Sequence, residues 1–316
     1  MTRPKTYLRS ERHSLSSPPE DRMAISGTTK LLGIIGDPVE HSMSPDMHNR
    51  AIAELGLDYV YVPFPVKPGD LGAAMAGFAA IGVVGLNATI PHKQTVIPYL
   101  DVITPEAQAI GAVNTIWRSD RGWEGTNTDV TGFLAPLRDR SAHDPSVQHC
   151  FSRPLVLLGH GGAARAVVAG ASQLGCPLVH VVGRTPEKVE AFVRSWDNSP
   201  IAVKLEGHSF SALGTLLPEA GIIVNSTPIG MHPHTDQSPL SEAIAGRIAS
   251  DTIAYDLIYT PSPTLFLQQA QHQGAIAIDG LEMLVRQGAA AFEIWVGQAA
   301  PIAIMRQTLR QRLGLV

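Results

Sequence analysis

The chain has 316 residues, of which 44% are hydrophobic and 16% are charged, and it carries 24 Lys and Arg against 28 Asp and Glu. This length favours two domains with substantial cores, and the composition excludes collagen-like and wholly disordered proteins. A net charge of −4 argues against a nucleic-acid binder, and without an apolar run of about 18 residues we expect no membrane span. Two cysteines outside any zinc-binding spacing indicate reduced thiols in a cytoplasmic protein.

Residues 1–29 are rich in Ser, Arg and Pro and contain no apolar segment of the kind that secretory signals carry. We expect a disordered N-terminal tail here. A transit peptide is the alternative, and Glu11, Glu20 and Asp21 count against it because such peptides are poor in acidic residues. The fold is therefore expected to begin near Lys30.

From Lys30 onward, short β-branched runs alternate with segments of helical period, which predicts an α/β fold with parallel sheets. The first part predicts, in chain order, a strand over 31–35, a helix over 45–55 capped by Ser44, a strand over 59–66, a helix over 71–80, a strand over 83–88, a hairpin over 113–118 and 122–125, and a helix over 131–138. The polar stretch 141–154 then predicts a surface loop.

The second part of the chain predicts a doubly wound sheet. Its strands are expected over 154–158, 178–182, 222–225 and 252–257, with helices over 161–174 and 186–195. Two last helices, over 281–296 and 300–313, have no further strand to supply and could return to the first domain. We therefore expect two α/β domains, the first over 30–128 plus 280–316 and the second, Rossmann-like, over 129–279.

A glycine-rich turn lies between a predicted strand and a predicted helix of the second domain. Gly159, Gly161 and Ala164 have the G-x-G-x-x-A spacing that is typical of dinucleotide-binding folds. Glycines let backbone N–H groups approach a pyrophosphate, whose charge the helix N-terminus also favours. The alternative is a turn without a ligand, but the strand and helix on either side favour a bound dinucleotide.

The end of the second strand of this domain indicates which dinucleotide binds. NAD sites usually carry an acidic residue there for the ribose hydroxyls, whereas this chain has Arg184, Thr185 and Lys188. These side chains are donors that suit the 2′-phosphate of NADP. The alternative is a solvated helix start, although cations are mildly unfavourable at a helix N-terminus unless an anion is near.

Polar side chains also follow the predicted strands of the first domain, where α/β proteins build their sites. Ser42 and Ser44 flank a turn into a helix and could bind a carboxylate, although Ser44 equally suits ordinary N-capping. Lys93 follows a proline turn among apolar neighbours, and we select it for proton transfer, although a lysine after a turn is usually a surface charge. Asp129 could hold that lysine in place or, alternatively, cap the helix over 131–138.

Eight segments together resemble the motifs of the shikimate dehydrogenase family, and the resemblance runs from Leu32 to Gly297. In family order they are GDPVEHSMSP, NATIPHK, GAVNT, NTD, GHGGAARA, NSTPIGM, DLIYTPSPT and GLEMLVRQ. The resemblance implies an oxidoreductase that reversibly reduces 3-dehydroshikimate to shikimate with NADPH, a step of chorismate and aromatic amino acid biosynthesis. We expect a small-molecule substrate and a monomer or homodimer.

The resemblance also implies roles for individual residues. Lys93 and Asp129 would form the catalytic dyad, in which Lys93 exchanges a proton with the substrate oxygen. The implied ligands of the substrate carboxylate are Ser42, Ser44 and Tyr259. Those of the ring hydroxyls are Asn87, Thr89, Asn114 and Gln287. Those of the cofactor are Gly159, Gly161, Gly162, Ala163, Arg184, Thr185, Lys188, Thr227, Met231 and Gly280.

The chain departs from the family pattern at two positions. Gly183 stands where an Asn is usual, and His160 stands where a small residue is common. The loss of the Asn side chain could weaken cofactor affinity or relax the preference for NADP, and His160 is assigned no role. His232, His234 and Asp236 suggest a metal site, but the reaction needs no metal and we expect none.

Two other functions compete with this interpretation. A quinate/shikimate dehydrogenase of broader specificity usually carries an acidic residue after the second strand, where this chain has Arg184. A non-catalytic sensor that binds shikimate or NADP typically lacks the lysine or the aspartate of the dyad. Lys93 and Asp129 are both present, which favours the enzyme.

Overall fold

The computed structural model describes residues 25–315, which contain two six-stranded sheets and the helices that pack against them. The strands are β1 (Lys30–Gly36), β2 (Tyr59–Pro65), β3 (Gly85–Ala88), β4 (Val102–Ile103), β5 (Thr115–Ser119), β6 (Gly122–Thr126), β7 (Leu155–Leu158), β8 (Val179–Val182), β9 (Leu205–His208), β10 (Ile222–Asn225), β11 (Ile253–Asp256) and β12 (Ile276–Ile278). The α-helices are α1 (Ser44–Glu54), α2 (Leu71–Ala80), α3 (His92–Thr95), α4 (Pro105–Ile110), α5 (Asp129–His143), α6 (Gly162–Leu174), α7 (Pro186–Arg194), α8 (Leu213–Leu216), α9 (Glu242–Ala245), α10 (Leu265–His272), α11 (Leu281–Val296) and α12 (Ile302–Arg312).

The two sheets differ in topology. The first has the order β2-β1-β3-β5-β6-β4, in which β5 is antiparallel to β3 and β6. The second has the order β12-β11-β10-β7-β8-β9, and all of its pairs are parallel. Its winding reverses between β7 and β10, the position where doubly wound sheets bind their ligands. The predicted α/β class and doubly wound second sheet are confirmed.

Some local predictions were wrong. The sequence pattern did not predict β4, β9 and β12, which are short and lie at sheet edges, where a strand pairs on one side only and has less need of apolar side chains. The stretch 141–154 is not simply a surface loop, because it continues α5 and then forms a 3-10 helix over Pro145–Ser152. Val147 and Cys150 of that helix are buried, so this segment is part of the core.

The start of the described chain is fixed to the segment before β2. Residues 1–24, which make up most of the predicted tail, lie outside the described residues. The hydroxyls of Thr28 and Thr29 each donate a 2.6 Å hydrogen bond to the carboxylate of Asp58. Within residues 25–315, no helix has the length and apolar character needed to cross a bilayer.

The two last helices return to the first sheet, as their position after the last strand suggested. Val285 and Phe292 of α11 and Met305 of α12 are buried in one cluster with Leu32 of β1 and Met47 of α1. These helices therefore close the core of the first sheet although they follow the second sheet in sequence.

Helices α5 and α11 lie against each other where the two sheets meet. Phe133 of α5 and Met283 of α11 belong to the core of the second sheet, so α11 contributes to both cores. Gly132 stands at the contact: a Cβ added there would lie 2.6 Å from the carbonyl oxygen of Met283 and 2.9 Å from Cβ of Gln287. The close approach of the two helices therefore requires glycine at this position.

We expect Gly132→Ala to lower the free energy of unfolding by about 1–3 kcal/mol, because the added methyl group has no room between α5 and α11. The matched control is Gly77→Ala in α2, where an added Cβ meets nothing within 4 Å. That variant should be neutral or more stable by up to about 1 kcal/mol, since alanine favours helix over glycine. Urea unfolding followed by circular dichroism measures both, and equal stabilisation of the two variants would contradict the close contact.

Candidate functional site

Lys93 and Asp129 form an ion pair at the junction of the two sheets. Nζ of Lys93 donates to Oδ2 of Asp129 at 2.6 Å, and the two side chains are 14% and 5% exposed. Lys93 lies in the short helix α3. Its backbone carbonyl accepts a 2.7 Å hydrogen bond from the backbone N–H of Val113, and this bond fixes the position of the helix. Asp129 is the first residue of α5. The pairing that the sequence only suggested is present in the structure.

The second carboxylate oxygen of Asp129 is held by an amide. Nδ2 of Asn114 donates to Oδ1 of Asp129 at 2.9 Å and lies 3.3 Å from Oε1 of Gln287 on α11. The backbone N–H of Asp129 donates to Oδ1 of Asn127 at 3.0 Å. Asn114 and Gln287, both predicted site residues, therefore lie at the ion pair, and Asn127 supports it from the preceding loop.

A chain of buried hydrogen bonds leads from Asn114 to the start of α1. Nδ2 of Asn87 donates to the carbonyl of Asn114 at 3.0 Å, and Oδ1 of Asn87 accepts from the hydroxyl of Tyr61 at 2.7 Å. The Tyr61 hydroxyl also hydrogen-bonds with the side chain of Ser44, and burial raises the pKa of Tyr61 well above its usual value. Sequence reasoning missed Tyr61, because the one available signal, a hydroxyl within an apolar strand, is shared by Tyr59 two residues earlier.

The three predicted ligands of the substrate carboxylate lie around the start of α1. Oγ of Ser42 accepts from the backbone N–H of Ser44 at 3.3 Å. The expectation that Ser44 caps α1 is wrong: Met43 occupies the N-cap position without a capping side-chain bond, and Ser44 is the first helical residue. Tyr259, which follows β11 of the second sheet, shares a hydrogen bond with the Met43 backbone, and burial raises its pKa. Thr89 lies just past the end of β3.

The glycine-rich turn brings the second sheet against the lysine. Gly159 has a φ of +104°, which favours glycine, and a Cβ there would lie 2.7 Å from Oγ of Ser226. Gly161, the N-cap of α6, has open space where its side chain would be. A Cβ on Gly162 would lie 3.2 Å from Cβ and Cδ of Lys93, so the start of α6 contacts the stem of that lysine. Ala163 follows in the same first turn.

The predicted 2′-phosphate ligands lie at the end of β8 and the start of α7. Arg184 and Lys188 are exposed, and within residues 25–315 neither forms an ion pair. Thr185 is the N-cap of α7 and its side chain makes no capping bond. The two departures from the family pattern touch each other: a Cβ on Gly183 would lie 2.9 Å from Cδ2 of His160. The His160 ring thus occupies space that a side chain at position 183 would need.

The ends of β10 and β11 are joined by a hydrogen bond between two buried side chains, Asn225 and Asp256, which sequence reasoning missed. Oδ1 of Asn225 accepts from the backbone N–H of Thr227 at 3.0 Å, and Nδ2 of Asn225 donates to Oδ1 of Asp256 at 3.0 Å. Burial raises the pKa of Asp256 to about 6. Of the other predicted cofactor residues, Met231 is exposed, and Gly280 packs so tightly on the Leu257 carbonyl that no Cβ fits.

This arrangement agrees with comparisons of the whole chain. A family model described as the shikimate dehydrogenase substrate binding domain matches residues 34–116, and one described as the shikimate 5'-dehydrogenase C-terminal domain matches residues 280–310. A relative from Trichormus variabilis named shikimate dehydrogenase (NADP(+)) is 59% identical over 92% of this chain and all of its own length. The chain belongs to the shikimate dehydrogenase family.

Solved structures of this family have the same fold. A crystal structure of a shikimate dehydrogenase in complex with NADP+ is 38% identical, with a TM-score of 0.79 over 94% of this chain and 99% of that one. A shikimate 5-dehydrogenase from Listeria monocytogenes, in complex with shikimate and NAD, is 33% identical, with a TM-score of 0.79 over 92% of this chain and all of that one. The two-sheet architecture is therefore that of known members of the family.

In this member of the shikimate dehydrogenase family, a buried histidine lies beside the hydrogen bonds that link Asn114, Asn87 and Tyr61. The ring of His48 is fully buried, stacks on Tyr61 with centroids 4.3 Å apart and lies 5.4 Å from the Trp295 ring. Within the described part of the protein, neither of its ring nitrogens has a hydrogen-bond partner. Burial lowers the pKa of His48 to about 3, so the ring is neutral in the folded protein at ordinary pH.

We expect His48 to make the folded state sensitive to acid. Below its unfolded pKa of about 6.5 the unfolded chain binds a proton that the folded chain does not bind until pH falls to about 3, so stability is lost as pH falls through that window. Relative to His48→Phe, the wild type should lose about 2–3 kcal/mol between pH 7 and 4.5. Asp256 has the opposite effect, since its pKa is raised, but it is common to both proteins.

Urea unfolding at several pH values measures this difference. The control is His272→Gln, which removes an exposed histidine at the end of α10 and should leave the pH dependence of stability unchanged. Parallel pH profiles for the wild type and His48→Phe would show that His48 does not titrate as its burial requires.

Proposed function

We propose that this chain reduces 3-dehydroshikimate to shikimate with NADPH, and catalyses the reverse reaction, as a step of chorismate and aromatic amino acid biosynthesis. One observation carries the proposal. The aliphatic part of the Lys93 side chain contacts Gly162 at the start of α6, while Nζ of the same lysine pairs with Asp129. A proton donor and an anion-binding helix end are therefore adjacent. Support comes from the relatives, which are named shikimate dehydrogenase (NADP(+)), and from the solved complex with NADP+.

The Lys93–Asp129 dyad moves the proton in this reaction. Nζ of Lys93 gives a proton to the carbonyl oxygen of 3-dehydroshikimate, which becomes the hydroxyl of shikimate, and removes it in the reverse direction. Asp129 positions the lysine through the 2.6 Å bond and stabilises its charged form next to the substrate. Asn114 orients the carboxylate by holding its other oxygen. The bound nicotinamide supplies or accepts the hydride.

The remaining polar side chains bind the substrate from both of its ends. Ser42, Ser44 and Tyr259 converge at the start of α1 and bind the substrate carboxylate with three hydroxyls. The ring hydroxyls are bound by Asn87, Thr89, Asn114 and Gln287, of which three already belong to the hydrogen-bonded chain beside the dyad. Polar groups held in this way discriminate strongly against molecules that leave them unpaired.

The second sheet binds NADP at its point of reversal. Gly159, Gly161, Gly162 and Ala163 surround the pyrophosphate, since the first has a positive φ and the start of α6 is open. Arg184, Thr185 and Lys188 bind the 2′-phosphate, for which the two cations are free of ion pairs among residues 25–315. Thr227, Met231 and Gly280 would hold the nicotinamide half. The residues present therefore fit the cofactor.

We assign the substrate-binding domain to residues 30–128 with 280–316, and the NADP-binding domain to 129–279. The cluster that joins α11 and α12 to β1 supports this division. We further infer a cytoplasmic protein that acts as a monomer or homodimer. Both cysteines, Cys150 and Cys176, are buried and unpaired, which fits a reducing compartment.

The dyad is tested by replacing its lysine. Lys93→Ala should lower kcat by about 10²-fold or more, with shikimate affinity largely kept, because the proton donor is lost while the ring-binding side chains remain. Asp129→Asn should also lower kcat, since it keeps the shape but removes the charge beside Lys93. Lys67→Ala, at an exposed lysine, is the control. Unchanged kcat in Lys93→Ala would overturn the dyad.

The substrate and cofactor are tested together. Purified protein is mixed with shikimate or quinate and NADP+ or NAD+, and the reduced cofactor is followed by its absorbance at ultraviolet wavelengths. We expect activity with shikimate and NADP+, and a KM for NADP+ that rises about 10-fold or more in Arg184→Ala while that for NAD+ changes little. The control is Arg194→Ala at the far end of α7, which removes an exposed arginine away from the predicted phosphate ligands.

Each other outcome of this assay has a distinct meaning. Comparable turnover of quinate or of NAD+ would make the chain a dehydrogenase of broader specificity. Binding of shikimate without turnover in any combination would make it a sensor. An equal effect of Arg184→Ala on both cofactors would place the 2′-phosphate away from Arg184.

A further inference from the structure

Two histidines and a glutamate meet on neighbouring strands at one edge of the second sheet, apart from the residues assigned above. In the parallel pairing of β8 with β9, His180 stands opposite Glu206, and His208 lies two residues further along β9, so all three side chains project from the same face. Nδ1 of His180 lies 3.0 Å from Nε2 of His208, and these two nitrogens lie 3.7 and 3.8 Å from Oε2 of Glu206.

These three distances suit one metal ion. In the plane of the three atoms, the point equidistant from the two nitrogens and the oxygen lies roughly 2 Å from each, which is the length of Zn²⁺ bonds to histidine nitrogen and carboxylate oxygen. Two imidazoles and one carboxylate are a ligand set that Zn²⁺ accepts, with a water molecule in the fourth position. The three side chains are 12%, 25% and 40% exposed, so water and metal can reach them.

Neighbouring contacts hold the three side chains in place. Nζ of Lys204 lies 2.8 Å from Oε1 of Glu206, which fixes the carboxylate and leaves Oε2 directed at the histidines. Without a metal, one imidazole nitrogen donates to the other across the 3.0 Å contact, and this bond keeps the two rings in place.

We propose that His180, Glu206 and His208 bind one divalent transition-metal ion, Zn²⁺ foremost, that links β9 to β8. β9 has only four residues and pairs with β8 alone, so few backbone hydrogen bonds hold it. It nevertheless ends next to the proposed cofactor site. The backbone N–H of Gly183 donates to the carbonyl of His208 at 3.1 Å, directly before Arg184. The metal is structural, because it fixes the strand that supports this end of the cofactor site, and it takes no part in proton transfer.

Zinc binding to the full chain, freed of any affinity tag and treated with a chelator, tests the proposal. Isothermal titration with ZnCl₂ should show one ion per chain, and Co²⁺ in its place should give the visible absorption of a four-coordinate site. Saturating Zn²⁺, at about 100 times its Kd, should raise the Tm by about 5 °C. His208→Ala and Glu206→Gln should each weaken Zn²⁺ binding by about 10–100-fold or more, since each removes one ligand.

The matched control is His234→Ala, which removes an exposed histidine from the His-Pro-His segment and should bind Zn²⁺ like the wild type. Glu206→Gln keeps the side-chain shape, and activity of each variant in the absence of metal verifies that it is folded. Zn²⁺ affinity weaker than about 0.1 mM in the wild type would overturn the proposal. Equal affinity of His208→Ala and the wild type, or loss of binding in His234→Ala, would also overturn it.

Discussion

Lys93 and Asp129 carry opposite charges on side chains that are 14% and 5% exposed, and such a pair is costly to remove from water unless each group keeps its hydrogen bonds. Asp129 meets this condition with one bond from the lysine and one from Asn114. Asn114 is held in turn by Gln287 of α11 and by the loop that begins α5. Elements from three distant parts of the chain must therefore converge for the pair to form. The return of α11 to the first sheet is thus a requirement of the site and also closes a core.

The same constraint determines how closely the sheets approach. The start of α6 contacts the stem of Lys93 because Gly162 has no side chain, and α5 contacts α11 because Gly132 has none. A side chain at Gly162 would force the second sheet away from the dyad, and one at Gly132 would force α11, with its Gln287, away from Asn114. In the proposed reaction the cofactor and the proton donor must act on one substrate, and both close contacts fit this requirement.

The sequence predicted most of the architecture because strongly amphipathic helices, such as α7 and α11, have clear patterns of apolar residues. The residues alone singled out Lys93, which follows a proline turn, and the dyad with Asp129 was implied only by the family resemblance. Tyr61 and His48 were missed because they lie inside regular elements and look like core positions. Ser44 was misassigned as a cap because its local sequence cannot show the Tyr61 hydroxyl that competes for it. His208 and Glu206 lie on an edge strand that was not predicted, so their meeting with His180 depended on a register that only the structure supplies.

The two departures from the family pattern change meaning once their contact is known. Considered alone, Gly183 looks like a lost donor beside the 2′-phosphate and His160 like an unrelated substitution in the glycine-rich turn. In the structure, a Cβ at position 183 would lie 2.6 Å from Cγ2 of Val189 and 2.9 Å from Cδ2 of His160, so these two side chains together fill the space over Gly183. The loss at position 183 therefore leaves no hole beside Arg184. The donors proposed for discrimination between NADP and NAD are Arg184 and Lys188, which are exposed and paired with no carboxylate among the described residues.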